Sequence, residues 1–163
     1  MAKTQKLDVV TPEHMAFREE VDFVVAPGVD GEFGLLPGHV PMVSALKMGI
    51  LRVYKGREFL AMVITGGFLE VKDSHIIVLA DTAEHAKGVE EEKIQRESLL
   101  PLKITSVDTH LPEIDLARAE AAKSRAEKRL AAKKSEIDMI RAEKALARAL
   151  LRIKAAKKSG GGS

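Results

Sequence analysis

ILRVYKGREFLAMVITGGFLEVKDSHIIVLA, residues 50–80, decides the fold class of the first half of the chain. The runs ILRVY, FLAMVI, GFLEV and HIIVLA are short, rich in β-branched and aromatic residues, and separated by Lys55-Gly56, Thr65-Gly66-Gly67 and Asp73-Ser74. This is the pattern of strands joined by tight turns. Lys55-Gly56 predicts a hairpin tip, and the paired glycines predict a bend or a close backbone approach. Working outward, LDVV and VDFVVA add two more strand-like runs, and Pro27-Gly28, Asp30-Gly31 and Pro37-Gly38 add turn signals. Turns recurring about every ten residues imply an all-β sandwich or flattened barrel over residues 1–86.

Within it, Gly31-Glu-Phe-Gly-Leu-Leu-Pro-Gly-His-Val-Pro41 concentrates three glycines and two prolines, a composition that predicts a loop rather than a strand. Glu32 and His39 lie in that segment. Taken by themselves they fit a solvated carboxylate and a turn histidine, and His39 also fits a contact residue.

The second half is of another kind. EIDLARAEAAKSRAEKRLAAKK and SEIDMIRAEKALARALLRIKAAKK are built from strong helix formers, giving two helices over residues 113–158. Ala119, Ala122, Ala126 and Leu130 share one face, as do Ala142, Ala145, Ala149 and Ile153, so the helices can approach closely as an antiparallel pair. Between them, Ser135 stands three residues before Asp138 as a capping-box-like start, yet no Gly or Pro forces a break. Hairpin and continuous helix are both permitted. Residues 113–158 carry a net charge of about +7 and residues 1–112 about −5.

Other classes are excluded by composition. There is no Cys, hence no disulfide, thiolate metal site or Cys nucleophile, and no Trp with few aromatics, hence no stacking platform for single strands. No run approaches the roughly 20 apolar residues of a membrane span, and the start MAKTQKLDVV lacks signal-peptide features, so a cytoplasmic protein is expected.

The blocks LDVVTPE, VDFVVAPGVDGEFGLLPGHVPMVSAL, ITGGFLEV, IIVLADTAE, EIDLARAEAAKSRAEKRL and RAEKALARALLRIK resemble, in order and spacing, the epsilon subunit of bacterial rotary ATP synthase, the delta subunit of mitochondria. The resemblance implies a ten-stranded β-sandwich followed by a two-helix hairpin. It implies a non-catalytic, proton-translocating-complex subunit on the cytoplasmic face of the plasma membrane, with the gamma subunit and the c-ring as partners. Glu32 would lie near the c-ring loops and His39 near gamma. The helices would fold against the sandwich or extend along gamma into the alpha/beta hexamer and block ATP hydrolysis, without nucleic acid or lipid insertion.

Ile114-Asp115-Leu-Ala-Arg118-Ala119 is similar to the family's ATP-binding motif, Ile/Leu-Asp-x-x-Arg-Ala. Carried over, Asp115 accepts from the adenine amino group, and Arg118, Arg125, Arg148 and Arg152 supply forked donors to phosphate. A solvated basic face is the bland alternative. The chain has no Walker lysine loop, so ATP is expected as a regulatory ligand, with no cofactor and no Mg²⁺ required.

Residues 87–112, KGVEEEKIQRESLLPLKITSVDTHLP, depart from the family pattern. VEEEKIQRESLL suggests a short helix and LKITSV a strand, and at this position the segment is expected to lengthen the tether of the helices. With the linker-like SGGGS of residues 159–163, it keeps open an alternative: an engineered ATP sensor or peptide graft on the same scaffold. A stand-alone module binding nucleic acid or anionic membrane is the rival from another class, disfavoured by the acidic residues interleaved along both helices.

Overall fold

A computed structural model describes residues 3–86, 112–132 and 135–157. The proposed helix and strand within 87–112 and the 159–163 tail lie outside the described residues. The chain divides into two compact units, the strands up to His85 and the helices from Glu113.

Eight strands are described: β1 (Gln5–Val10), β2 (Met15–Val21), β3 (Phe23–Gly28), β4 (Gly31–Leu35), β5 (Met42–Lys55), β6 (Glu58–Lys72), β7 (His75–Ala80) and β8 (Ala83–His85). Their order is β2-β1-β7-β6-β5-β3-β4, with β8 also on β6; β1 and β7 are parallel and the other pairs antiparallel. The long β5–β6 hairpin carries β7, β1 and β2 at one end and β3, β4 and β8 at the other, and the sheet folds over it into a sandwich. Leu7, Val9, Val24, Leu35, Leu51, Met62, Ile64, Leu69 and Ile76 fill the core without solvent exposure. Across it, Gln5 Nε2 donates to the Leu35 carbonyl at 2.7 Å, joining β1 to β4, which are far apart in the sheet order.

Eight strands are described where ten are expected, and FLAMVI and GFLEV are a single strand, β6. Gly66 and Gly67 have φ of 115° and 129°, which lets β6 bend while its ladder to β5 continues in register. A Cβ on Gly67 would sit 1.9 Å from the Leu79 carbonyl oxygen, so only glycine fits there. The Lys55-Gly56 and Asp73-Ser74 turns lie where the sequence places them; Asp73 and Ser74, at φ 50° and 58°, make a two-residue hairpin loop of the I′ type.

The loop expected over 31–41 is corrected. Its first five residues form β4, paired with β3 around a turn at Val29-Asp30, so Glu32 is a strand residue. Alternation decides this: Leu35 is fully buried and Phe33 packs on the core, while Gly34 leaves room for the Phe23 ring. Pro27-Gly28 is likewise inside β3 rather than at a turn, where the β3–β5 register is interrupted and the missing N–H costs no ladder bond.

The second unit comprises α1 (Leu116–Ala132) and α2 (Glu136–Lys157). They form an antiparallel hairpin, closed by a 3.1 Å bridge from Lys157, at the end of α2, to Glu120, near the start of α1. Ala119 and Ala126 face Ala142 and Ala149 along a buried seam. Ser135 caps α2: its Oγ accepts from the Asp138 amide at 3.1 Å and donates to Asp138 Oδ2 at 2.8 Å. This cap exists only while α2 begins at Glu136. Ser135→Ala is therefore expected to lower the stability of the folded hairpin by about 1 kcal/mol, read from thermal unfolding by circular dichroism.

The His85 amide donates to the Pro112 carbonyl at 3.0 Å, which holds Pro112, just before α1's N-terminal motif, against β8.

Candidate functional site

The Ile114–Ala119 motif forms the start of α1. Asp115 is its N-cap, with Oδ1 accepting from the Arg118 amide at 3.0 Å and its carbonyl accepting from the Ala119 amide at 3.0 Å. Its Oδ2 makes no hydrogen bond among the described residues. Ile114 is half-buried, Ala119 belongs to the seam, and Arg118 is exposed beside it.

Helix geometry then fixes the arginines. At about 100° per residue, Arg118, Arg125 and Arg129 lie roughly 80–120° to one side of the α1 seam, and Glu120 and Glu127 about as far to the other. On α2, Arg141, Arg148 and Arg152 lie on the equivalent side and Glu143 opposite. In an antiparallel pair, equal rotations from the two seams point to one flank. All six arginines of the described helices therefore share a flank, and the Glu120–Lys157 and Lys123–Glu127 bridges mark the other. Arg125 is level with Arg148, and Arg118 and Arg152 follow toward the open end. Arg118 and Arg125 are exposed, Arg148 and Arg152 half-buried. The hairpin brings together the four arginines selected from sequence and adds Arg129 and Arg141, which the motif spacing did not mark.

Glu32 and His39 belong to the sandwich unit. Glu32 pairs with both guanidinium nitrogens of Arg52, at 3.1 and 3.2 Å. His39 closes the Leu36–His39 turn through its amide, and its Nδ1 lies 2.9 Å from the Val40 carbonyl. Sequence reasoning missed the neighbouring surface. Register aligns Met15, Val10, Leu79, Phe68 and Ala45 across five strands, a row about 19 Å long, with Phe68 60% and Leu79 54% exposed and Val43 beside it 71% exposed. An apolar row this continuous marks an interaction surface.

Beside the row, buried Asp8 accepts from Arg18 at 3.1 and 3.2 Å and lies 3.2 Å from His75 Nε2. Burial raises its pKa, but hydrogen bonds from Arg18 and His75 and the charges of Arg18 and Lys6 outweigh that, leaving the carboxyl below its usual value. A depressed carboxylate contributes stability that is fully present above the unfolded pKa, near 3.9, and is lost as pH falls through the lower folded value. Asp8→Asn is expected to cost on the order of 1 kcal/mol at pH 7. The gap to the unsubstituted protein closes below about pH 4, read as urea midpoints against pH.

Family comparisons match the same two units. The family model for the ATP synthase delta/epsilon chain beta-sandwich domain matches residues 4–86, and that for its long alpha-helix domain matches 113–157. The chain belongs to the ATP synthase delta/epsilon chain family. Residues 87–112 fall between the two matches. Among members of this family, an ATP synthase epsilon chain from Desulforamulus reducens is 53% identical over 136 residues, covering 83% of this chain and 84% of the relative. One from Pelotomaculum thermopropionicum is 46% identical over 131 residues, covering 80% and 79%. The fold is shared with a chain in the cryo-EM structure of the Euglena gracilis mitochondrial ATP synthase, OSCP/F1/c-ring, at TM-score 0.66 and 22% identity, covering 93% of this chain and 81% of that one. No described helix is long and apolar enough to cross a membrane.

Proposed function

We propose that this chain is a non-catalytic central-stalk subunit of a rotary, proton-translocating ATP synthase at the cytoplasmic face of the plasma membrane. Its sandwich couples gamma to the c-ring. Its helices restrain ATP hydrolysis when extended into the alpha/beta hexamer, and ATP favours the folded hairpin. The carrying observation is the arginine flank: donors from both helices converge on one side only when the hairpin is closed, so a polyanion bound there stabilises that state by mass action.

Asp115 fits the adenine role because capping uses Oδ1 and leaves Oδ2 to accept from an amino group. Arg118, Arg125, Arg148 and Arg152 bind the phosphates, while Ile114 lines the base and Ala119, in the seam, keeps the second helix close beside it. At ATP tenfold above its dissociation constant the hairpin gains about 1.4 kcal/mol, enough to tip a nearly balanced pair of states. On the sandwich, gamma covers the Phe68–Leu79 row with His39 at its margin, and Glu32 meets the c-ring loops.

Reconstitution with gamma and the catalytic hexamer tests this reading. ATP hydrolysis is expected to be inhibited by the full chain at low ATP, relieved at millimolar ATP, and uninhibited when residues 113–163 are deleted. Equal hydrolysis with the full and truncated chains would remove the regulatory role.

A further inference from the structure

We propose, resting on the extended state put forward above, that α2 carries two apolar faces, one for each state of the helices. The second face takes a helix of gamma that has an apolar stripe and an acidic edge. In the hairpin, α2 buries Ala142 and Ala149 against α1. Ile137 and Ile140, at the start of the same helix, are 65% and 47% exposed. Two exposed isoleucines one turn apart are an apolar face that the hairpin does not use.

The helical period gives that face a place in the other state. No Gly or Pro stands between Ala132 and Glu136, so α1 and α2 can run on as one helix, each residue advancing about 100°. Ile137, 11 residues after Ala126 and 7 after Leu130, then falls within about 20° of both. Leu151, 25 residues after Ala126, falls about 20° to its side, and Ile140, 14 residues after it, about 40°. Ala142 and Ala149, at 16 and 23 residues, fall about 140–160° away. The α1 seam therefore continues through Ile137, Ile140 and Leu151, while the α2 seam of the hairpin turns to the far side. A stripe that advances largely in steps of three and four residues is the seam of a contact between helices. Lys144, in line with Ala126, sets one cation within it, a polar residue of the kind that fixes register.

Charge selects the partner. In the continuous helix Lys123, Arg141, Arg148 and Arg152 fall about 40–80° to one side of Ala126, with no carboxylate among them. A second copy running antiparallel would set this edge against its own like charges, which disfavours self-pairing. A helix with Asp or Glu along the matching edge complements it. Arg148 and Arg152 also belong to the nucleotide flank, so ATP and the partner helix draw on the same side chains in opposite states.

The test measures binding of the full chain to isolated gamma without nucleotide, alongside inhibition of hydrolysis in the complex of gamma and the catalytic hexamer. Ile137→Gln with Ile140→Gln is expected to weaken gamma binding at least about tenfold and to raise the concentration for half inhibition with it. Its ATP affinity and helical circular dichroism stay, because the hairpin buries neither side chain and Gln favours helix at least as well as Ile. Ala149→Leu crowds only the hairpin seam and gives the reverse pattern: weaker ATP binding, with gamma binding kept. Equal gamma binding by the Gln variant overturns the inference. Lost inhibition with gamma binding unchanged also overturns it, by assigning the face to the hexamer, as do dimers of the unsubstituted chain that the variant abolishes, by assigning it to a second copy. Weakened gamma binding together with no inhibition by the unsubstituted chain keeps the face and removes the regulatory reading instead.

Discussion

Arg125→Ala together with Arg148→Ala is expected to weaken ATP binding by about 3–6 kcal/mol, bringing a micromolar site into or beyond the millimolar range. The two side chains lie level on opposite helices and on one flank, so together they grip the same part of the triphosphate. Each charge-assisted donor is worth about 1.5–3 kcal/mol. Neither belongs to the buried alanine seam, and Ala is the best helix former, so the double variant keeps its helical signal. Calorimetry with ATP, ADP and GTP reads the loss. Asp115→Asn gives the complementary result: it keeps the cap but replaces an acceptor by a donor, so preference for ATP over GTP narrows while helicity stays. An unchanged ATP affinity in the double variant contradicts the assignment of the flank to phosphate.

The second large effect concerns the sandwich. Phe68→Asp with Leu79→Asp is expected to cost at least about 4 kcal/mol in binding to gamma, since two exposed neighbours at the centre of an apolar row act as anchors and would be replaced by desolvated charge. The sandwich is expected to stay folded with a modest loss of stability, because both side chains are more than half exposed while two Asp placed directly opposite repel. A retained folded β signal with lost gamma binding is the expected pair of results. Glu32→Ala is expected to change stability little, because its pair with Arg52 is exposed.

Strand runs, hairpin tips and the break in composition before the helices were legible from residues 50–80 and 113–158 because turn residues and helix formers act locally. Gly31–Leu35 was not. Glycines suggest a loop when counted, and only the partner strand β3, with Leu35 in the core, shows that they relieve crowding in a ladder. The apolar row was hidden for a related reason. After His75, HIIVLA is apolar at every position, so periodicity cannot say that Leu79 faces out while Val78 faces in; register against β1 and β6 settles it.

At the candidate site, the motif spacing pointed to Asp115, Arg118, Arg125, Arg148 and Arg152, but not to their convergence. That needed the antiparallel pairing, which also brings in Arg129 and Arg141. The Asp115 cap and the return of Pro112 to β8 are contacts between a side chain or carbonyl and specific amides, and only geometry reveals them.

The central claim is that ATP holds the helices folded, and one distance tests it. The chain has no cysteine, so Ser124→Cys with Ala147→Cys introduces two unique thiols on exposed, level positions of α1 and α2. Spin labels there lie close together in the hairpin and about 35 Å apart in a continuous helix. Measured by pulsed electron resonance in complex with gamma and the catalytic hexamer, the short-distance population is predicted to grow with ATP and to grow far less with GTP. A distance distribution that ignores ATP at millimolar concentration contradicts the account.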